Sequence, residues 1–261
     1  MLAPIMRSSP RTASVRPTTA CLVAEYVAPP GAPNLPACEI AALCGYDAVI
    51  FDHEHGVMPQ ADADRLTLAC KRLGLTVYSR VASAERVAVQ HALDAGVDGV
   101  ILPQIADLAH ARAVTALAKY PPLGSRGVGY SRAMGYDGVA PDFFERENCR
   151  TLCWPMIETP GALADAAAIA ALDTVDGLFV GPADLSMTRG RGVFRATDKD
   201  LADLAKVAAA AKATGKSWAL PAPGAKVFAF ARRHGASLVT VGDDLTALRV
   251  GFTQGLAVAK D

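Results

Sequence analysis

The polar side chains that could do chemistry in this chain stand directly after short apolar runs. Glu158 ends the run TLCWPMIE, Asp184 follows DGLFVGP, and Arg80 ends LTVYSR. A further polar group, Asp52 to His55, follows DAVIF. Two carboxylates with free positions between them are typical ligands of a hard cation such as Mg²⁺ or Mn²⁺, and an imidazole can move protons at neutral pH. The residues therefore indicate a divalent-metal site with acid–base assistance.

A cation held by Glu158 and Asp184 would accept a bidentate ligand, and a 2-oxo acid has adjacent carboxylate and carbonyl oxygens. A metal-bound ketone acidifies its α-carbon because the cation offsets charge that develops on the enolate oxygen. His55 is then the candidate base, and Arg80 can hold a carboxylate or the enolate oxygen with its planar fork of donors. Gly181 allows backbone to approach a ligand closely. These residues predict enolate chemistry on a small 2-oxo acid.

Other kinds of chemistry have weaker support. No lysine follows a strand-like run, so a Schiff-base mechanism lacks its nucleophile, and no serine or cysteine stands in a GxSxG turn. Two alternatives stay open at this point. Asp184 by itself could be a helix N-cap, and the segment Asp52 to His55 could be a solvated turn or part of a zinc site that lacks an evident third ligand.

The elements that must position these residues alternate between β-branched runs and Ala/Leu-rich amphipathic stretches. This alternation is typical of parallel strands that are connected by helices. The pattern predicts a single-domain (β/α)8 TIM barrel over residues 19–261, in which active sites form at the carboxyl ends of the strands. The strands are expected at 20–27, 47–54, 75–80, 98–104, 151–158, 176–182, 216–221 and 237–242, and helices at 59–74, 84–96, 107–120, 160–172 and 198–215.

Two features of the pattern bear on this prediction. A doubly wound sheet is the competing architecture, but it rarely needs eight strands, and no GxGxxG follows the first run. The connection 120–150 is much longer than loops in compact domains usually are. We interpret it as a candidate lid over the strand ends.

Composition excludes several classes of protein. Lys plus Arg and Asp plus Glu each number 26, so the net charge is zero and no basic stripe favours nucleic acid. No uncharged apolar stretch reaches the roughly 18 residues of a membrane span. The 6 cysteines show no CxxC spacing, which favours reduced thiols and a cytoplasmic location. Residues 1–18 lack the apolar core of a secretory signal, and we expect a disordered tail.

Taken in order, the segments GYDAVIFDHEHG, DGVILPQI, YPPLGSRGVG, MIETPGAL and DGLFVGPADLS resemble the HpcH/HpaI aldolase family over residues 19–255. The resemblance implies a class II, metal-dependent pyruvate aldolase that joins pyruvate and an aldehyde into a 4-hydroxy-2-oxo acid or cleaves that product. It also implies a homo-oligomer, a hexamer or a trimer. The partners expected from it are small molecules, with no nucleic acid and no membrane.

The resemblance also implies a role for individual residues. Glu158 and Asp184 match the metal ligands, for Mg²⁺ or Mn²⁺. His55 matches the histidine of the acid–base step, Asp52 the acidic residue that supports it, and Arg80 the arginine beside the pyruvate oxygen. Gly181, Pro182 and Ala183 match the loop that holds the pyruvate carboxylate. Arg126 and Gly127 match the Arg-Gly pair before the fifth strand, whose role is structural or lid-like.

The chain departs from the sugar-acid aldolases of this family at two positions. His53 stands where they usually carry Gly, and Glu25-Tyr26 stands where they often have Trp. These changes leave the residues for metal binding and enolate formation intact. They bear on which aldehyde the chain would accept. Two alternatives remain: an acyl-CoA-dependent condensing enzyme or lyase, similar to citrate synthase or to citrate and malyl-CoA lyases, and a 2-oxo-acid binder without catalysis.

Overall fold

The strands form a closed parallel barrel in chain order, with the last strand paired to the first. A computed structural model describes residues 21–26, 35–136, 139–222 and 224–258, so the predicted tail at 1–18 lies outside the described residues. The predicted (β/α)8 barrel is confirmed. The first, second, fourth, fifth and sixth strands end one or two residues earlier than predicted, and the eighth ends one residue later. The strands are β1 (Cys21–Tyr26), β2 (Ala48–Asp52), β3 (Thr76–Arg80), β4 (Gly99–Leu102), β5 (Leu152–Ile157), β6 (Gly177–Val180), β7 (Ser217–Pro221) and β8 (Leu238–Asp243).

Helices surround this barrel. Within the described ranges, no helix is both long and apolar enough to cross a lipid bilayer. Two short 3₁₀ helices lie at Ala116–Ala118 and Arg132–Met134. The α-helices are α1 (Leu35–Leu43), α2 (Gln60–Arg72), α3 (Arg86–Asp94), α4 (Leu108–Thr115), α5 (Phe143–Arg150), α6 (Pro160–Ala164), α7 (Ala166–Ala170), α8 (Pro182–Thr188), α9 (Asp198–Ala213), α10 (Ala225–Arg233) and α11 (Asp244–Val258).

One helical prediction was wrong in detail, and one helix lies where the sequence pattern predicted only a long connection. The helix expected over 160–172 is divided at Asp165, whose carboxylate accepts the backbone N–H of Leu108 at 3.0 Å. The long connection 120–150 contains α5, which apolar periodicity could not indicate because its buried residue is the charged Glu147. The carboxylate of Glu147 is bonded to Arg150 instead of lying in apolar surroundings. The first difference arises from a partner elsewhere in the fold, and the second from an ion pair within α5 that allows a charged residue to be buried.

Alternation of side chains along each strand places the candidate site. Val23, Ile50, Tyr78, Met156 and Phe179 belong to one apolar cluster inside the barrel. Because side chains two positions apart lie on the same face of a strand, the next inward position on each strand toward its carboxyl end is also internal. Those positions are occupied by Glu25, Asp52, Arg80, Glu158 and Gly181. One end of the barrel interior is therefore polar, and it is the end at which active sites form in this fold.

The opposite end of the barrel holds a buried cation. Lys119 is 1% exposed, and its Nζ donates to the carbonyls of Asn148 and Thr151 at 2.7 and 2.6 Å. The same Nζ lies 2.7 Å from the carboxylate of Asp176, which precedes β6. The positive charge is thus fully partnered, as a buried ammonium must be. This lysine stabilises the amino-terminal end of the strands and is remote from the polar end.

The last helix differs from the others in its packing. α11 begins at Asp244, directly after β8, and none of its residues is buried. Its main contacts are with β1 and β8, where the chain leaves the barrel. Apolar side chains on α11 are exposed, among them Leu248, Phe252 and Leu256. The helix therefore does not cover its own barrel as the other barrel helices do.

Candidate active site

The carboxylate of Glu158 is buried, and the two oxygens of this carboxylate differ in their hydrogen bonding. It follows β5 directly and is 1% exposed. Its Oε1 accepts the backbone N–H of Gln104 at 2.6 Å, whereas its Oε2 is buried without a hydrogen-bond partner among the described residues. Leaving such an oxygen unpaired costs free energy, so it calls for a partner that the protein does not supply. A bound cation is a partner that fits a carboxylate oxygen.

Gly181 makes room for this carboxylate. A Cβ at position 181 would lie 2.3 Å from Oε2 of Glu158. The φ angle of Gly181 is −95°, a value that any residue can adopt, so the requirement for glycine comes from this close approach and not from backbone conformation. The glycine that was predicted to let backbone approach a ligand makes room, in the structure, for the carboxylate of Glu158.

The electrostatic state of Glu158 follows from these surroundings. The pKa of Glu158 is raised to about 7, chiefly by burial. The nearby carboxylates of Glu54 and Asp184 contribute to this rise, while the N–H of Gln104 and the charge of Arg80 oppose it. A low-dielectric environment disfavours the charged form of an acid unless a positive charge is close. The site is therefore suited to a cation, which would stabilise the ionised carboxylate.

Asp184 lies in the first turn of α8, next to Glu158 along the barrel rim. It is half-buried and does not cap the helix: the cap position is Gly181, and no side chain accepts a cap hydrogen bond there. The N-cap alternative for Asp184 is therefore wrong, and the segment that follows the glycine is a helix. No group of three or more His, Cys, Asp or Glu residues within the described ranges could hold a metal ion, so the zinc alternative gains no support.

Arg80 and Asp52 form the second part of the site. They face each other in the register of β2 and β3, and Nε of Arg80 donates to Oδ1 of Asp52 at 2.8 Å while Nη2 donates to Oδ2. Nη2 also donates to Oε1 of Glu25 at 2.8 Å. Burial alone would raise the pKa of Asp52, but the bonds from Arg80 and from two backbone N–H groups outweigh it and lower that pKa. Both groups of the pair are therefore charged at neutral pH.

Asp52 also shapes the turn that carries His55. Its Oδ1 accepts the backbone N–H of Glu54 at 3.0 Å and that of His55 at 3.2 Å. The side chain of His55 is 60% exposed, and its Nε2 lies 3.7 Å from Oε2 of Glu54. Asp52 thus supports His55 through the backbone of the turn, and the exposed imidazole can exchange protons with water at the entrance of the barrel.

Two contributors were not among the predicted site residues. Gln104 supplies the N–H that orients Glu158, and it does so with a φ of 56°, in the left-handed region. Glu54 lies 3.7 Å from Nε of Arg80, and its Oε1 accepts from Nε2 of Gln104 at 3.4 Å. Sequence position marks both as residues near strand ends. Nothing in the sequence indicates the backbone conformation that gives Gln104 its role.

Arg126 and Gly127 anchor the start of the connection 120–150 to α3. The guanidinium of Arg126 lies 4.5 Å from the ring centre of Tyr120 and 3.3 Å from a carboxylate oxygen of Asp94. A Cβ at Gly127 would lie 2.9 Å from Oε1 of Gln90. Arg126 is buried, with 3% of its surface exposed, so its contacts are those of a packing residue.

Comparison with known proteins identifies relatives of this chain in sequence and in fold. A model of the HpcH/HpaI aldolase/citrate lyase family matches residues 31–249. A 5-keto-4-deoxy-D-glucarate aldolase of Salmonella paratyphi C is 34% identical over 223 residues, which is 84% of this chain and 85% of the relative. The crystal structure of an HpcH/HpaI aldolase from Desulfitobacterium hafniense superposes with a TM-score of 0.84 at 28% identity, over 93% of both chains. The citrate synthase SbnG is similar in fold, with a TM-score of 0.81 at 22% identity over 92% of this chain and 93% of its own.

The first prediction concerns the space at Gly181. In Gly181→Ala, the new methyl group must displace Oε2 of Glu158, and we expect the affinity for Mn²⁺ to fall at least about tenfold. Titration calorimetry with Mn²⁺ measures this affinity. Gly224→Ala is the matched control, because a Cβ at position 224 meets nothing within 4 Å. Equal Mn²⁺ affinity in both variants would show that the cation does not use Glu158.

The second prediction concerns pH. Mn²⁺ must displace a proton from Glu158 wherever that carboxyl is neutral, which is below its pKa of about 7 in the metal-free protein. We therefore expect the Mn²⁺ affinity to fall about tenfold for each pH unit below the pKa of Glu158, on top of the effect of any other group that titrates. Above that pKa, protonation of Glu158 should no longer affect the affinity. Calorimetry across this pH range measures the slope. Glu158→Gln should bind weakly without this slope, and a slope that persists in Glu158→Gln would assign the titration to another group.

Proposed function

The chain belongs to the HpcH/HpaI aldolase/citrate lyase family and is a carbon–carbon lyase, and on this basis we propose that it is a divalent-metal-dependent aldolase. The reaction proposed is the formation or cleavage of a 4-hydroxy-2-oxo acid from pyruvate, or a similar 2-oxo acid, and an aldehyde. The observation that carries the proposal is the buried, unpartnered Oε2 of Glu158 beside Asp184. It gives the site the charge and the vacant oxygen that a cation needs.

The proposed metal ligands are Glu158 and Asp184. Mg²⁺ and Mn²⁺ both accept carboxylate oxygens, so the ligand set suits either ion. When bound, the ion would supply Lewis-acid polarisation of the 2-oxo group, which makes the neighbouring carbon acidic. The backbone of Gly181, Pro182 and Ala183 precedes and opens α8, and it is proposed to hold the carboxylate of the 2-oxo acid.

Arg80 is proposed to hold the 2-oxo acid from the other side of the barrel. Its Nε and Nη2 are bonded to Asp52 and Glu25, and no bond from Nη1 to a described residue is formed. The remaining donor can reach an oxygen of the substrate. Because Asp52 and Glu25 hold the guanidinium plane in place, little conformational freedom is lost when the substrate binds.

His55 is proposed as the acid–base residue. In the cleavage direction a base takes the proton of the 4-hydroxyl group while the bond between C3 and C4 breaks, which leaves an aldehyde and an enolate. A proton then returns to C3 of the enolate to give pyruvate. In the synthetic direction the same steps run backwards, and the exposed imidazole can pass the proton to water.

The aldolase has more support than the acyl-CoA alternative. The relatives at 34% identity are named aldolases, whereas the citrate synthase is similar at a level that shows the fold alone. The two possibilities are separated by incubating the protein with an acyl-CoA thioester and glyoxylate or oxaloacetate. Release of free thiol would favour the condensing enzyme. A cytoplasmic location remains a prediction from the sequence.

We also propose that the protein is a homo-oligomer in which α11 packs against a second copy of the chain. An isolated helix of this length is only marginally stable in water, and the apolar side chains of α11 are exposed on the monomer. A helix with this surface gains stability when another chain covers it. A hexamer or a trimer is the assembly that the family resemblance implies.

The third prediction tests the enolate step. In D₂O the protein should exchange the methyl protons of pyruvate only when Mg²⁺ or Mn²⁺ is added, because the carbon is acidic only when the 2-oxo group is polarised. Loss of the methyl signal in proton NMR measures the rate. Glu158→Gln and His55→Ala should each lower the rate by about a hundredfold or more.

Glu145→Gln is the matched control for this experiment, since Glu145 is exposed on α5, outside the barrel. It should exchange as fast as the unchanged protein. Exchange without any metal after thorough chelation, or full exchange in Glu158→Gln, would contradict the proposed function. Binding of pyruvate without exchange under every metal would support the non-catalytic alternative.

The fourth prediction tests the assembly. The chain has a mass of 27.1 kDa, and light scattering after size-exclusion chromatography should give a multiple of that mass. A double change, Phe252→Asp with Leu256→Asp, should lower the measured mass because it places charges on the covered face of α11. Leu68→Asp on α2 is the control, as Leu68 is also exposed but lies on another helix. A monomeric unchanged protein would exclude the proposed assembly.

A further inference from the structure

Glu25 is an acidic residue inside the barrel whose role in the proposed mechanism is confined to holding Arg80 in place. It lies two positions after the inward Val23 on β1, beside Ile50 on one neighbouring strand and Asp243 on the other. Its side chain is 18% exposed, so the carboxylate reaches the cavity at the polar end of the barrel. An internal carboxylate that ligates nothing needs a reason, because burial of a charge is costly.

The contacts of Glu25 place it against the substrate-holding arginine. Its Oε1 accepts from Nη2 of Arg80 at 2.8 Å, and the same Nη2 also donates to Asp52. Glu54 approaches this guanidinium as well, at 3.7 Å from Nε. One cation therefore faces three carboxylates. With Nη1 assigned to the 2-oxo acid, a second anion that comes to Arg80 must compete with the carboxylates that are already bonded to Nε and Nη2.

Charge in the rest of the cavity adds to this effect. The carboxylates of Glu158 and Asp184 lie across the barrel from Glu25, and Asp243 is its neighbour on β8. Arg80 and a divalent cation together carry fewer positive charges than these carboxylates carry negative ones, and a bound 2-oxo acid adds another negative charge. Burial raises the pKa of Glu25, and the neighbouring carboxylates of Asp52 and Asp243 raise it further, while Arg80 lowers it. The surroundings of Glu25 therefore resist additional negative charge.

Resting on the proposed aldolase function, we propose that Glu25 makes the enzyme selective for uncharged aldehydes over aldehydes that carry a carboxylate. A carboxylate on the second substrate would meet the negative charge of Glu25 instead of a free guanidinium edge. An uncharged hydroxyaldehyde can instead donate a hydroxyl hydrogen to the carboxylate of Glu25, which only accepts hydrogen bonds. Selectivity of this kind arises from repulsion of the wrong partner as well as from attraction of the right one.

The experiment compares two aldehydes that differ in one group. Glyceraldehyde ends in CH₂OH and tartronate semialdehyde ends in a carboxylate at the same position, so their ratio of kcat/KM in aldol addition to pyruvate reports on charge. The protein is assayed as the metal-loaded full chain, and each variant is also assayed for exchange of pyruvate methyl protons, which needs no aldehyde. Glu25→Gln removes the charge and keeps the shape, and Glu39→Gln, on the exposed surface of α1, is the matched control.

We expect Glu25→Gln to shift the kcat/KM ratio toward the carboxylate-bearing aldehyde by at least about tenfold, and Glu39→Gln to leave the ratio unchanged. Added salt should shift the ratio in the same direction for the unchanged protein and much less for Glu25→Gln, because salt screens repulsion. A role of Glu25 that is only structural would lower both kcat/KM values together and would leave the ratio and its salt dependence unmoved.

An unchanged ratio in Glu25→Gln, with pyruvate exchange present in the unchanged protein, would overturn this inference and leave the aldolase function standing. Absence of metal-dependent exchange in the unchanged protein would overturn the proposed function and the inference together. The two failures are therefore distinguishable by the exchange assay.

Discussion

The ion pair between Arg80 and Asp52 ties the carboxyl ends of β2 and β3 together inside the barrel. Asp52 extends this connection to the turn that carries Glu54 and His55, because its carboxylate also accepts their backbone N–H groups. Arg80 extends it to β1 through Glu25. Three strands and the turn with the candidate base thus depend on one ion pair, in which the carboxylate is buried and the guanidinium is partly buried. Removing Arg80 would leave the carboxylates of Asp52 and Glu25 without their cation inside the barrel, where uncompensated charge is costly.

The two halves of the cavity differ in charge balance. On the side of β1 to β3, Arg80 and the carboxylates satisfy one another with short hydrogen bonds. On the side of β5 and β6, one oxygen of the Glu158 carboxylate has no hydrogen-bond partner in the described part of the chain, and the pKa of Glu158 is raised to about 7, chiefly by burial. A cation is therefore favoured on one side and a fixed guanidinium stands on the other. A small anion that binds between them would be held from both sides, which is the geometry that enolate chemistry requires.

The residues that stabilise the barrel and the residues of the candidate site lie at opposite ends of the strands. The buried Lys119 and its partners hold the amino-terminal end, whereas the polar layer with Glu158 and Arg80 lies at the carboxyl end. This separation is a general property of parallel barrels, because the loops that follow the strands can vary without disturbing the core. α11 belongs to neither of these regions. The described residues of the chain do not bury the apolar surface of this helix.

The sequence by itself determined the strands, the barrel and the residues that end the strands. A run of β-branched residues indicates a buried strand, and this pattern involves only residues that are neighbours in the sequence. For the same reason Glu158, Asp184, Asp52, His55 and Arg80 could be named as candidates: each follows such a run. The family resemblance rests on the same segments. The specific substrate was not determined, because it depends on the shape and charge of a cavity and not on any one segment.

Only the tertiary structure decided which of these side chains contact one another. Glu25 and Arg80 are 55 positions apart in sequence, and Gln104 and Glu158 are 54 apart, so their hydrogen bonds exist only after the barrel closes. Three other features leave no periodic signal in the sequence: the left-handed backbone of Gln104, the close approach of Gly181 to Glu158, and the buried charge of Glu147. A local pattern reports whether a residue is buried. The partner that it meets there depends on closure of the sheet, which brings distant strands side by side.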